Sequence, residues 1–141
     1  MHRLIGILLV FASLQIAAAA DVKLTKYTPS RAEQQFSERL DSTTTFPQRL
    51  EVARDFQKNY PVDAGVQIRA ADLLALEDPT QVHEYYNSRV EANPKPELDL
   101  YMAGRYAENL TDKQSLVAKM LTLNPESYWG SVLQATAYPA D

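Results

Sequence analysis

Proline residues recur at a nearly constant interval along most of this 141-residue chain, and this interval limits the possible architecture more than any other feature. The first series has spacings of 32, 33 and 31 residues and consists of Pro29, Pro61, Pro94 and Pro125. A second series follows about 18 residues behind the first and consists of Pro47, Pro79 and, in the equivalent place, Asp112. A fixed period of this size is typical of stacked helical hairpins.

The prolines also predict where helices begin and end, because proline is tolerated just past a helix and in its first turn. The first series, from Pro61 onward, would end the second helix of each hairpin, and the second series would begin that helix. Ser30 with Glu33, Asp78 and Thr111 are candidate N-caps. The sequence therefore predicts an all-α fold with helices near residues 30–41, 47–59, 63–76, 79–92, 96–109, 112–123 and 126–138.

One stretch, residues 82–104, carries a family resemblance. It places His83-Glu84-Tyr85-Tyr86 in a helix that ends at Asn93-Pro94, and Gly104 stands ten residues beyond this proline. The Asn124-Pro125 boundary is similar to the start of another unit. In these features the chain resembles the tetratricopeptide repeats, in which a small residue at the place of Gly104 allows two helices to touch.

The chain also departs from that family pattern. Where the family has a small residue early in each second helix, this sequence has Arg49, Val82 and Lys113. Gln67 and Ser131 stand where the family usually has a bulky apolar residue. We therefore interpret residues 21–141 as a divergent repeat domain.

The resemblance implies an α–α superhelix of about three such hairpins plus a C-terminal helix. The first helices would line a concave groove that binds peptides or helices of partner proteins. In the family register, the groove would carry Asp72, Leu98, Tyr101, Arg105, Asn109 and Trp129. Tyrosine and arginine often dominate recognition surfaces. The alternative is that Tyr101 packs against a neighbouring helix and that Arg105 pairs with a carboxylate such as Glu97 or Glu108.

Residues 1–20 have the pattern of a signal peptide. A short basic start precedes an apolar run, which closes in four alanines before Asp21. We expect cleavage after Ala20 and a periplasmic or secreted protein without a membrane span; the alternative is that the run is retained as an anchor. The chain has no cysteine, which excludes lipoprotein attachment, disulfides and thiolate metal sites.

Charge and motifs limit the function classes. The net charge is −4, and −5 without Arg3 (13 basic and 18 acidic side chains), with no basic block, so nucleic acid and anionic membranes are poor partners. No nucleophile motif or phosphate-binding glycine loop is present. His83 is the only histidine after residue 20, and we expect it on the surface or between helices rather than in catalysis or metal binding. The sequence thus predicts no enzyme activity, cofactor or metal.

The last fifteen residues, 127–141, contain a single charged residue, Asp141. A helix that ends a repeat array normally has a polar outer face. This segment should therefore meet another copy, a partner or a region outside the chain, or else be a buried cap. Our first hypothesis is an exported protein–protein interaction module. The alternatives are a helical accessory part of an exported enzyme system and a binder of a small ligand between hairpins.

Overall fold

The computed structural model describes residues 27–138, and in this part of the chain the fold is all-α, with seven helices and no strand. The predicted signal peptide and its cleavage site lie outside the described residues. The helices are α1 (Arg31–Asp41), α2 (Phe46–Asn59), α3 (Ala64–Leu74), α4 (Pro79–Ala92), α5 (Glu97–Arg105), α6 (Leu110–Leu123) and α7 (Tyr128–Ala137). Between residues 27 and 138, none of them has the length and hydropathy needed to cross a bilayer.

Most of the predicted helix starts are confirmed. Ser30 and Glu33 form a reciprocal capping box at α1, and the Asp78 side chain accepts from the backbone N–H of Gln81 at α4. Thr111 is the wrong N-cap for α6. The cap is Asn109, whose side chain accepts from the next turn of the helix, and asparagine is a stronger N-cap than threonine. Helix α5 ends at Arg105, four residues before the predicted position 109.

The helices form two layers. The odd-numbered helices contact each other in order, α1 with α3, α3 with α5 and α5 with α7, and we call them the first layer. The even-numbered helices form the second layer, in which each packs against the odd helices that precede and follow it. This arrangement is three helical hairpins plus a C-terminal helix, so each hairpin covers part of the next.

Gly104 shows why a small residue is needed between α5 and α7. A Cβ atom at this position would lie 2.3 Å from Cδ2 of Leu133, a fully buried side chain of α7. Such a distance is far below van der Waals contact, so a side chain at residue 104 would force the buried Leu133 to move. The predicted role of Gly104 as a helix contact is confirmed.

Gln67 is also explained by its position. The side chain is fully buried, and its Nε2 donates to the carbonyl oxygens of Gln57 (2.8 Å) and Tyr60 (2.9 Å) at the end of α2. In a continuing helix the Gln57 carbonyl would accept from residue 61, but Pro61 has no N–H. Gln67 therefore supplies the donor that the proline removes, which an apolar residue at this position would not do.

Candidate functional site

Four of the predicted groove residues form one continuous row across the first layer. Arg105 Nη2 of α5 lies 2.9 Å from Asp72 Oδ1 of α3, and Arg105 Nη1 donates to the Tyr101 hydroxyl at 3.1 Å. The Tyr101 ring packs against Trp129 of α7 with ring centroids 4.6 Å apart. The row therefore joins three odd-numbered helices.

The members of this row differ in what they offer to a partner. Tyr101 is only 5% exposed, so its ring belongs to the core. Arg105 and Asp72 are exposed, but their charges already pair with each other. The two carboxylates that the sequence suggested for Arg105, Glu97 and Glu108, instead each accept a hydrogen bond from a serine or threonine hydroxyl. The row thus fixes the odd-numbered helices relative to one another.

Tyr106 belongs to the same polar group. Its hydroxyl donates to Asp72, beside the Arg105 contact. Partial burial raises the pKa of Tyr106 above its ordinary value, and the hydrogen bond to the Asp72 carboxylate raises it further. The hydroxyl therefore stays protonated at neutral pH and acts as a donor, not as a base.

Asn109 lies apart from the row. It stands in the turn between α5 and α6, where its side chain accepts from Asp112 N at 2.8 Å and donates to the Asp112 carboxylate at 2.6 Å. Both contacts serve the start of α6. The structure consequently gives Asn109 a capping task away from the other predicted residues.

Leu98 and Trp129 meet in an open cleft of about 510 Å³ at the N-terminal ends of the first-layer helices. We call it the first-layer cleft. One of its apolar side chains, Val62, is 85% exposed. The full lining is Pro61, Val62, Ala64, Asn93, Pro94, Lys95, Glu97, Leu98 and Trp129.

Sequence reasoning missed the wall formed by Pro61, Val62 and Pro94. These residues lie in the turns before α3 and α5, and the family register points only to positions on the helices themselves. A signal was nevertheless present, because the same proline period that ends the even-numbered helices brings a proline turn to each edge of the cleft.

Most polar groups around the cleft already have partners within the protein; among the buried side-chain atoms of the described residues the exception is Asp99 Oδ1, which accepts no hydrogen bond. Asn93 Nδ2 donates to Asp99 at 2.7 Å, and its Oδ1 accepts from the backbone N–H of Lys95 at 2.9 Å. Asp99 is buried, and its charge is balanced by Arg89 Nε at 3.0 Å. The exposed Lys95 ammonium has no carboxylate within 4.0 Å in the described part of the chain. Within residues 27–138 the cleft thus presents apolar walls and, at Lys95, a cation without an ion-pair partner.

His83 lies between helices. Its Nδ1 is 2.7 Å from the carbonyl oxygen of Ala103, which can only accept, so Nδ1 carries the proton and joins α4 to α5. Over residues 27–138, no group of three or more histidine, aspartate or glutamate side chains is arranged to hold a metal ion. Comparisons of the chain with protein-family models, with curated proteins and with solved structures find no match.

Proposed function

We propose that this chain is an exported binding module that holds an extended segment of a partner protein in the first-layer cleft and carries out no catalysis. The observation that carries the proposal is the lining of the cleft. Val62, Pro61 and Pro94 face solvent there beside the partly buried Leu98 and Trp129, while the Asn93 side chain is already hydrogen-bonded within the protein. The signal-peptide pattern of residues 1–20 supports the exported location.

The physical gain on binding is apolar burial. Each Å² of apolar surface that a ligand side chain removes from water is worth about 25 cal/mol. Pro61 and Pro94 restrict the backbone of the walls, so the cleft loses little conformational freedom when it is filled. These features favour a segment with one large apolar or aromatic side chain that inserts between Val62 and Trp129.

Lys95 sets the expected charge of that segment. An unpaired ammonium at the rim favours an acidic side chain beside the inserted apolar one. An exposed ion pair contributes only about 0.2–1 kcal/mol, so Lys95 would select and orient the segment rather than supply most of the affinity.

The test uses the single tryptophan of the chain, Trp129, which lines the cleft. Peptides selected from a displayed random library should shift its fluorescence on titration. Val62→Asp should weaken binding about tenfold, because it puts a charge on the apolar wall. The matched control is Leu76→Asp, since Leu76 is similarly exposed, at 73%, but does not line the cleft.

Equal losses in Val62→Asp and Leu76→Asp would contradict the proposal, as would binding that leaves the Trp129 emission unchanged. The second candidate, a small-ligand binder, is favoured by the cleft volume, which lies within the range of roughly 300–1,000 Å³ of ligand sites. It predicts that a metabolite, and no peptide, protects the protein against thermal unfolding.

A further inference from the structure

Helix α7 has an open face that α3 and α5 do not have. The fourth and eighth residues after the N-cap are buried in α3 and α5, but in α7 these positions are Ser131 and Ala135, and both are exposed. In α5 the eighth of these residues, Gly104, lies against Leu133 of α7, and within the described residues no helix follows α7 to cover its equivalent, Ala135.

This open face has a regular seam. Tyr128, Ser131 and Ala135 lie within an arc of about 60° on α7, and the C-cap residue Tyr138 continues the spacing of three, four and three residues. The two tyrosines at its ends are 70% and 53% exposed. A spacing of three and four residues is the pattern by which two helices pack along a common line. We call these four residues the α7 seam.

The chemistry of the seam differs from that at the other end of the stack. In α1 the equivalent positions are Gln34 and Glu38, both exposed and polar, as expected of a solvated end. By contrast, α7 is the only helix of the described chain without a charged residue. A neutral helix that keeps two tyrosines in solvent is suited to contact another helix.

We propose that the α7 seam pairs with the α7 seam of a second copy of this chain, with the two helices antiparallel about a two-fold axis. The positions of the seam are symmetric about residue 133, which is the midpoint of the inner pair, Ser131 and Ala135, and of the outer pair, Tyr128 and Tyr138. A two-fold axis there places Ser131 of one copy against Ala135 of the other, and Tyr128 against Tyr138. A two-fold axis perpendicular to the helices makes them antiparallel, which is also how α6 covers α5 within one hairpin.

Charge favours a second copy's α7 over its α1 as the occupant. The chain carries a net charge of −4, so two copies repel each other, and a neutral contact surface adds the least local repulsion. When two α7 helices pair, no charged side chain of one helix meets a charged side chain of the other, because α7 has none. Docking α7 on the α1 end would instead cover Glu38 and Arg39 with an uncharged face, and their desolvation would be uncompensated.

The contact is small, because a ten-residue helix is about 15 Å long. The dimer should therefore be of the weak class, below about 1,200 Å² of buried surface. This inference uses a different face from the first-layer cleft and does not depend on peptide binding.

Sedimentation velocity of the purified chain tests the proposal, over concentrations from low micromolar to several hundred micromolar. The chain should pass from monomer to dimer in this range. Ala135→Glu should weaken the dimer about tenfold or more, because two like charges meet near the axis. Thr136→Glu is the control: it adds the same charge to an exposed position of α7, about 120° from the centre of the seam. Far-ultraviolet circular dichroism should be the same for all three proteins.

Orientation is tested by cross-linking, which is simple because the chain has no cysteine. A mixture of Ser131→Cys and Ala135→Cys chains should form mainly the mixed disulfide under mild oxidation. A parallel pair would give mainly the two symmetric disulfides and would overturn the proposal. The proposal would also be overturned if the chain stayed monomeric at every concentration, or if the Ala135→Glu variant dimerised as strongly as the wild type. Either result would leave the α7 seam to a helix of a different protein.

Discussion

Tyr86→Phe should destabilise the protein far more than the loss of one oxygen atom suggests. The Tyr86 hydroxyl is buried, accepts from Gln57 Nε2 at 3.0 Å and donates to Gln67 Oε1 at 2.9 Å. Neither of these two atoms has another hydrogen-bond partner within the described residues. A buried polar group left without a partner costs about 1–3 kcal/mol, so two such groups should lower the free energy of unfolding by about 2–4 kcal/mol once modest rearrangement is allowed.

Urea unfolding followed by circular dichroism at neutral pH measures this loss. With a slope of roughly 1–3 kcal/mol/M for a domain of this size, the midpoint should fall by about 0.7–4 M without a change of slope. Adding Gln57→Leu to Tyr86→Phe removes one of the unpaired atoms, so the double variant should lose at least about 1 kcal/mol less than the sum of the single changes. A loss below about 0.5 kcal/mol for Tyr86→Phe, or additive single changes, would refute the buried network.

Three further outcomes are expected. Burial raises the pKa of Tyr86 above the ordinary 10.0. The stability that the protonated hydroxyl contributes is therefore complete below pH 10 and is lost as the pH rises toward the folded pKa. In urea melts the stability deficit of Tyr86→Phe relative to wild type should shrink above pH 10, and a constant deficit would contradict this. Tyr101→Ala should lower the free energy of unfolding by about 3–5 kcal/mol because the ring is buried in the core. Arg105→Ala should lower it by about 1 kcal/mol or less because the ion pair of Arg105 is exposed. Thermal melts that rank the two variants in the other order would be inconsistent with the structure. Mass spectrometry of the protein from its native compartment should show Asp21 as the first residue, and a chain that retains Ala20 would disprove the expected cleavage.

The fold could be predicted largely from the sequence because it depends on local signals. Proline fixes its own backbone angle and lacks an N–H, so Pro61 and Pro94 limit helices whatever surrounds them. The capping box at Ser30 is equally local. The prediction went wrong between α5 and α6, where Asn109 and Thr111 are both N-cap residue types and the structure uses Asn109, the stronger of the two.

The candidate site could be predicted only in part, because a position on a helix does not determine what its side chain touches. The sequence placed Tyr101, Arg105 and Asp72 on a common surface, and the structure brings them together. Their mutual pairing could not be foreseen, since the partner of Arg105 stands 33 residues away in the chain. Whether any predicted residue binds a partner stays a prediction.

The proline period has a consequence for binding as well as for folding. Because Pro61 and Pro94 cannot donate, α2 and α4 must end where they do, and the chain must turn before the next odd-numbered helix starts. Each turn therefore leaves its proline and the following residue outside a helix, as with Val62 and Lys95. Stacking then sets these turns side by side, so the residues that interrupt the helices become the walls of the first-layer cleft. It follows that Val62 can be replaced, and the lining of the cleft changed, without loss of the fold. Replacing the prolines, or Gln67, which completes the end of α2, would instead disturb the fold itself.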